Sequence, residues 1–153
     1  MKLSEHLDLA EVIKSDSAKR KGISNMPTPE HIENFKKLAV NVFEPIRKHF
    51  GVPIHISSGY RSKELNAVIG GASNSDHCFG MALDLDQQGH SSGVTNKQVF
   101  DFIKDNLKFK QLIWEGGTKQ EPDWVHVSYD EKNLKKEVLL ATLVKGKMQY
   151  SKY

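Results

Sequence analysis

Two short runs alternate polar and apolar residues with a period of two, and they constrain the fold more than anything else in the chain. Residues 82–86 read ALDLD, and residues 124–129 read WVHVSY. Such a period marks a β-strand with one buried face. Leu83 and Leu85 belong to a core, so Ala82, Asp84 and Asp86 face away from it. By the same parity Val125 and Val127 point inward, while Trp124, His126 and Ser128 point outward. Two such strands side by side present a carboxylate and an imidazole to one cleft. His77, in a loop where Gly80 allows a tight approach, completes a set of two histidines and one carboxylate. Zinc favours that ligand set, and a fourth position left open to water marks a catalytic rather than a structural site. The plainer alternative makes Asp84 and Asp86 the polar face of an edge strand. The histidines are then surface residues, as His6, His31 and His49 on predicted helices are expected to be.

The surroundings of these strands predict an α+β fold, a small mostly antiparallel sheet with helices packed on it. Residues 7–20 are helix-prone, with Leu7, Ala10, Val12 and Ile13 as a partial apolar stripe. A loop of sequence GISNMPTP follows, and Thr28 with Pro29 caps and opens a long helix. That helix carries Ile32, Phe35, Leu38, Ala39, Val42, Phe43 and Ile46, is kinked or restarted by Pro45, and ends near Gly51. PIHIS (53–57) reads as a strand and SKELNAVIG (62–70) as a short helix. TNKQVFDFIKDNL (95–107) reads as an amphipathic helix capped by Thr95. FKQLIWE (109–115) and DWVHVSY (123–129) are further strands, and residues 137–144 with 146–153 form a last hairpin.

Bulk properties exclude several classes. With 153 residues and no repeat, the whole chain 1–153 is expected to form one domain and to act as a monomer. A net charge of +3 without a basic stripe interleaved with aromatics predicts no nucleic-acid partner. Cys78, the single cysteine, rules out an internal disulfide and reads as a small packing residue. No apolar run is long enough for a signal peptide or a bilayer span, so the expectation is synthesis in the cytoplasm and no membrane association.

Ser75-x-His77-x-x-Gly80-x-Ala82-x-Asp84, followed by Trp124-Val-His126, resembles the pattern of the zinc D-alanyl-D-alanine carboxypeptidases. That superfamily includes lysostaphin-like endopeptidases, phage endolysins and the hedgehog domain. Residues 9–47, 57–77, 111–115 and 123–129 are similar to its compact phage and bacterial branch, and only the tail after about residue 132 is unsupported. The resemblance implies one zinc held by His77, Asp84 and His126, with water as the fourth ligand. It implies peptidoglycan stem peptides as substrate, cut beside a D-amino acid, by a lysin that reaches the wall after release or within a phage particle. Arg61 matches the arginine that holds the substrate carbonyl and the developing oxyanion; pairing with Glu64 on the surface is its structural alternative. Ser75 and Ser58 are candidate hydrogen-bond donors around the site, and Trp124 a candidate wall of the cleft. Much of the family places its general base, a glutamate, three residues before the last histidine. Here Asp123 stands at that position, one methylene shorter, and strict alternation from His126 turns it to the opposite face. A strand beginning only at Trp124 frees it to reach the metal; Glu115, at the end of QLIWE, and Glu121 are the alternatives. The hedgehog domain raises a second reading, a zinc-binding structural or assembly protein without catalysis.

Overall fold

The computed structural model describes residues 1–153. Six strands form one sheet: β3 (Ile56–Ser58), β4 (Ala82–Leu85), β5 (Gln111–Glu115), β6 (Trp124–Ser128), β7 (Glu137–Val144) and β8 (Lys147–Lys152). Their order is β3-β4-β6-β5-β7-β8, and every neighbouring pair is antiparallel except β5 and β7. A separate two-stranded ribbon, β1 (Lys2–Ser4) with β2 (Leu7–Asp8), opens the chain. The fold is thus α+β, as the alternating runs and helical stripes imply.

The predicted helix over 7–20 is instead two short ones, α1 (Leu9–Ile13) and α2 (Asp16–Lys21). Local capping divides them. Asp8 accepts from the Ala10 N–H at 3.0 Å while its own N–H donates to Glu11 at 2.8 Å, so the first helix starts only after the ribbon. Lys14 is extended, and Ser15 caps the second helix. The predicted strand 53–57 also shrinks, beginning at Ile56.

The long helix begins as expected, with Thr28 as cap and Pro29 in the first turn of α3 (Pro29–Leu38). It passes through a π-helical stretch at Ala39–Phe43 and continues as α4 (Glu44–Phe50). The wider turn sits immediately before Pro45, whose ring has no N–H to donate and would crowd the carbonyl one α-turn back. One face of this composite helix buries Phe35, Leu38, Ala39, Val42, Phe43 and Ile46. Together with Val99, Phe100 and Ile103 of α6 (Asn96–Asn106), they cover Leu83, Leu85, Leu112, Trp114, Val125 and Val127 of the sheet in one core of 21 buried residues. Burying such side chains contributes roughly 1.5–3 kcal/mol each, which fixes strand parity: a one-residue slip would put the valines in water. The opposite face of the sheet is therefore left for chemistry.

Candidate active site

Strand register brings together two of the three candidate donors. Asp84 on β4 stands directly opposite His126 on β6, and His126 Nδ1 lies 3.0 Å from Asp84 Oδ1. The third residue comes from a 3₁₀ turn, Asp76–Phe79, lying after α5 (Lys63–Val68) and before β4. Ser75 caps that turn by accepting from the His77 N–H at 3.3 Å. Gly80 closes it at φ +72°, where a Cβ would also sit 2.3 Å from the His31 carbonyl oxygen. Glycine is required there on both counts.

His77 is 1 % exposed, and its Nδ1 lies 2.6 Å from the Gly59 carbonyl oxygen. That carbonyl can only accept, so Nδ1 carries the proton and Nε2 is left with its lone pair. Nε2 is 3.2 Å from Asp84 Oδ1, yet it is buried and makes no hydrogen bond of acceptable geometry. A buried nitrogen lone pair without a donor is costly unless a cation takes it. One donor atom each from His77, Asp84 and His126 lie within 4.8 Å of one another. Two imidazoles and a carboxylate at that separation suit a borderline divalent ion such as zinc. Burial acts to raise the Asp84 pKa, but the two imidazoles packed against it, whose protonated forms attract and hydrogen-bond the carboxylate, outweigh it and hold the carboxyl well below its usual range in the metal-free protein. Asp84 is thus ionised, as a metal ligand would have to be.

The centre opens into a cleft of about 670 Å³ lined by Arg61, Ser75, Glu115 and Trp124 as well as the three donors. Arg61 is held from below: its Nη1 donates to Asn66 at 3.3 Å, and buried Asn66 donates in turn to the Ala72 carbonyl at 2.8 Å. Asn66, not Glu64, is its partner. Its Nε is buried without an acceptor in the protein, and the residue lines the cleft beside the three donors.

The three acidic residues raised by the sequence separate clearly. Glu115 is 7 % exposed and shares the cleft, on the same face of β5 as Ile113, the residue opposite His126. Burial pushes its pKa up to about 7; the charge of His126 works against that shift and the charge of Asp84 with it. β6 does begin at Trp124, but Asp123 does not swing to the donors. Its exposed carboxylate accepts from the Gly117 N–H at 3.1 Å and lines a separate groove. Its own N–H donates to the Glu115 carbonyl at 2.9 Å, which continues the ladder and preserves the parity that turns it away. Glu121 accepts from the Lys97 N–H at 2.8 Å, at the start of α6. Ser58 pairs with Asp84 across β3 and β4 but lines a neighbouring groove rather than this cleft. Cys78 is buried and burial raises its thiol pKa, which keeps it an inert packing group.

Sequence reasoning did not single out Lys110, Tyr150, Met148 or Lys135, all of which border the cleft. Lys110 pairs with Asp76 at 2.9 Å and so ties β5 to the turn that carries His77. The end of QLIWE pointed to Glu115, but nothing local revealed that a parallel strand would bring the C-terminal hairpin alongside.

An open three-donor centre with a carboxylic acid and a guanidinium beside it is the equipment of a metal-dependent hydrolase. A model of the peptidase M15 family matches residues 5–128, and the chain belongs to that family of zinc D-Ala-D-Ala carboxypeptidase-like metallopeptidases. A search of curated proteins finds no match to the sequence. No helix is long and apolar enough to cross a membrane.

Proposed function

We propose that the chain is a zinc-dependent peptidoglycan peptidase that hydrolyses stem-peptide bonds flanked by a D-amino acid. The observation that carries this reading is the convergence of His77, Asp84 and His126 with Glu115 and Arg61 in one cleft. Membership of the peptidase M15 family supports the class of reaction, and the resemblance to wall-degrading enzymes supports the substrate.

His77 Nε2, Asp84 and His126 would hold the zinc, which supplies a Lewis acid and lowers the pKa of water it binds. The Gly59 carbonyl fixes the His77 tautomer and ring orientation for that task. Glu115 takes the proton of the attacking water and passes it to the leaving amine. A carboxyl poised at about 7 is well matched to both transfers near neutral pH. Arg61, braced by Asn66, offers planar donors to the carbonyl oxygen as it gains negative charge. Ser75 keeps the His77 turn in place, and Trp124 walls the cleft.

Incubation of zinc-loaded protein with purified murein, followed by mass spectrometry of the soluble fragments, tests the reading. Stem peptides shortened at a bond beside a D-residue are expected, and the same fragments identify the bond. Intact stems after prolonged incubation would contradict it.

A further inference from the structure

The family match ends at Ser128, and the last two strands begin only at Glu137. These strands nonetheless border the cleft. β7 lies parallel to β5 with Ile113 beside Leu139 and Glu115 beside Ala141. β8 returns antiparallel with Tyr150 beside Ala141 and Met148 beside Leu143. Trp124, Glu115, Ala141 and Tyr150 therefore form one row across four strands. Ala141 is the smallest side chain in that row and is 2 % exposed, so little stands between Tyr150 and Glu115. Leu139, Met148 and Tyr150 line the same cleft as Arg61, Glu115 and His126.

Tyr150 is 57 % exposed on an edge strand. An open aromatic there invites unwanted pairing and finds no core to join. A ring with a polar tip is well suited to gripping a peptide, because it offers apolar area and a hydrogen bond at low entropic cost. Partial burial, and then the negative charge of Glu115 and Asp84, push the Tyr150 phenol pKa up, so the hydroxyl remains a donor. Lys135, in the segment before β7, adds a cation at the rim, 3.6 Å from Glu137.

We propose that the C-terminal hairpin is a substrate wall, in which Tyr150, flanked by Met148 and Leu139, contacts the stem peptide beside the bond to be cut and sets which peptides are accepted. This rests on the peptidase reading above. The wall takes a short peptide segment with small apolar side chains and a carbonyl or carboxylate within reach of the phenol and of Lys135.

Calorimetric titration of a purified disaccharide-pentapeptide muropeptide into zinc-loaded Glu115→Gln protein isolates binding from turnover. Adding Tyr150→Ala should weaken that affinity about tenfold, the scale of a modest interface anchor, and Tyr150→Phe should lie between. The exposed position predicts an unchanged melting temperature and zinc content in both. In the otherwise wild-type enzyme the loss should fall mainly on KM. Equal affinity with tyrosine and alanine, in a parent that binds the muropeptide, overturns the wall alone. A parent that binds no muropeptide overturns the substrate reading and the wall together.

Discussion

Asp84 and His126 face each other across β4 and β6, and a single carboxylate oxygen, Asp84 Oδ1, is 3.0 Å from His126 Nδ1 and 3.2 Å from His77 Nε2. The pair is set by the sheet rather than by a loop. The valines and leucines that flank them are fully buried, so neither residue can leave the cleft face without opening the core. A site on paired strands is held to closer tolerance than one on mobile loops, which suits metal ligands.

Glu115→Gln should abolish most turnover while retaining metal and fold, because an amide cannot accept the proton of water. General acid–base groups contribute about 10² to 10⁴-fold. Asp123→Asn, whose carboxylate accepts from Gly117 outside the cleft, should keep most activity. Steady-state rates of the two variants on one muropeptide decide between them, and the opposite ranking would return the base to Asp123.

Arg61→Lys should lower kcat by about 10²-fold, the scale for one oxyanion donor, since lysine keeps the charge but not the planar fork. Zinc content and melting temperature should be nearly unchanged. Activity within about threefold of wild type would make Arg61 a purely structural partner of Asn66.

Glu115 also predicts a pH dependence of stability in the metal-free protein. Its folded pKa is raised from 4.5 to about 7, so its contribution is fully present below pH 4.5 and is lost as pH rises through about 7. The shift corresponds to at most about 3–4 kcal/mol. Asp84 acts in the opposite sense, its own stabilisation being lost as pH falls below its ordinary value of 3.8, and it is common to both proteins compared. Glu115→Gln should therefore gain on wild type between pH 5 and pH 8.5 in urea denaturation with chelator present. A gap independent of pH would show that burial does not raise this carboxyl.

Gly80→Ala forces a side chain into a left-handed backbone and against the His31 carbonyl. A cost of at least about 2 kcal/mol is expected, together with weaker metal binding, because the turn carrying His77 must move. Wild-type stability in a urea melt would show that the turn has room that its geometry denies.

Much of this site is legible in the sequence because strand parity is a strong signal. The alternation in WVHVSY and ALDLD is enough by itself to put His126 and Asp84 on the face away from the core. Parity also argues against Asp123, although the family spacing favours it, and the ladder bond from its N–H to Glu115 explains why parity prevails. Less legible are features that depend on distant partners. The run that composition reads as one helix breaks at extended Lys14, before the Ser15 cap, where the Ile13 carbonyl accepts from Asn25, and a parallel strand brings Tyr150 beside Glu115 from outside the recognisable segment. The orphaned Nε2 of His77 depends on Gly59, eighteen positions away, and no local pattern encodes it.

The central claim is that His77, Asp84 and His126 form one zinc site. Elemental analysis of protein purified without chelator tests it directly, in wild type and in His77→Ala and His126→Ala. The account predicts close to one zinc per chain in wild type and little in either variant, with the loss exceeding any loss of folded protein. Unchanged metal content in both variants would contradict it.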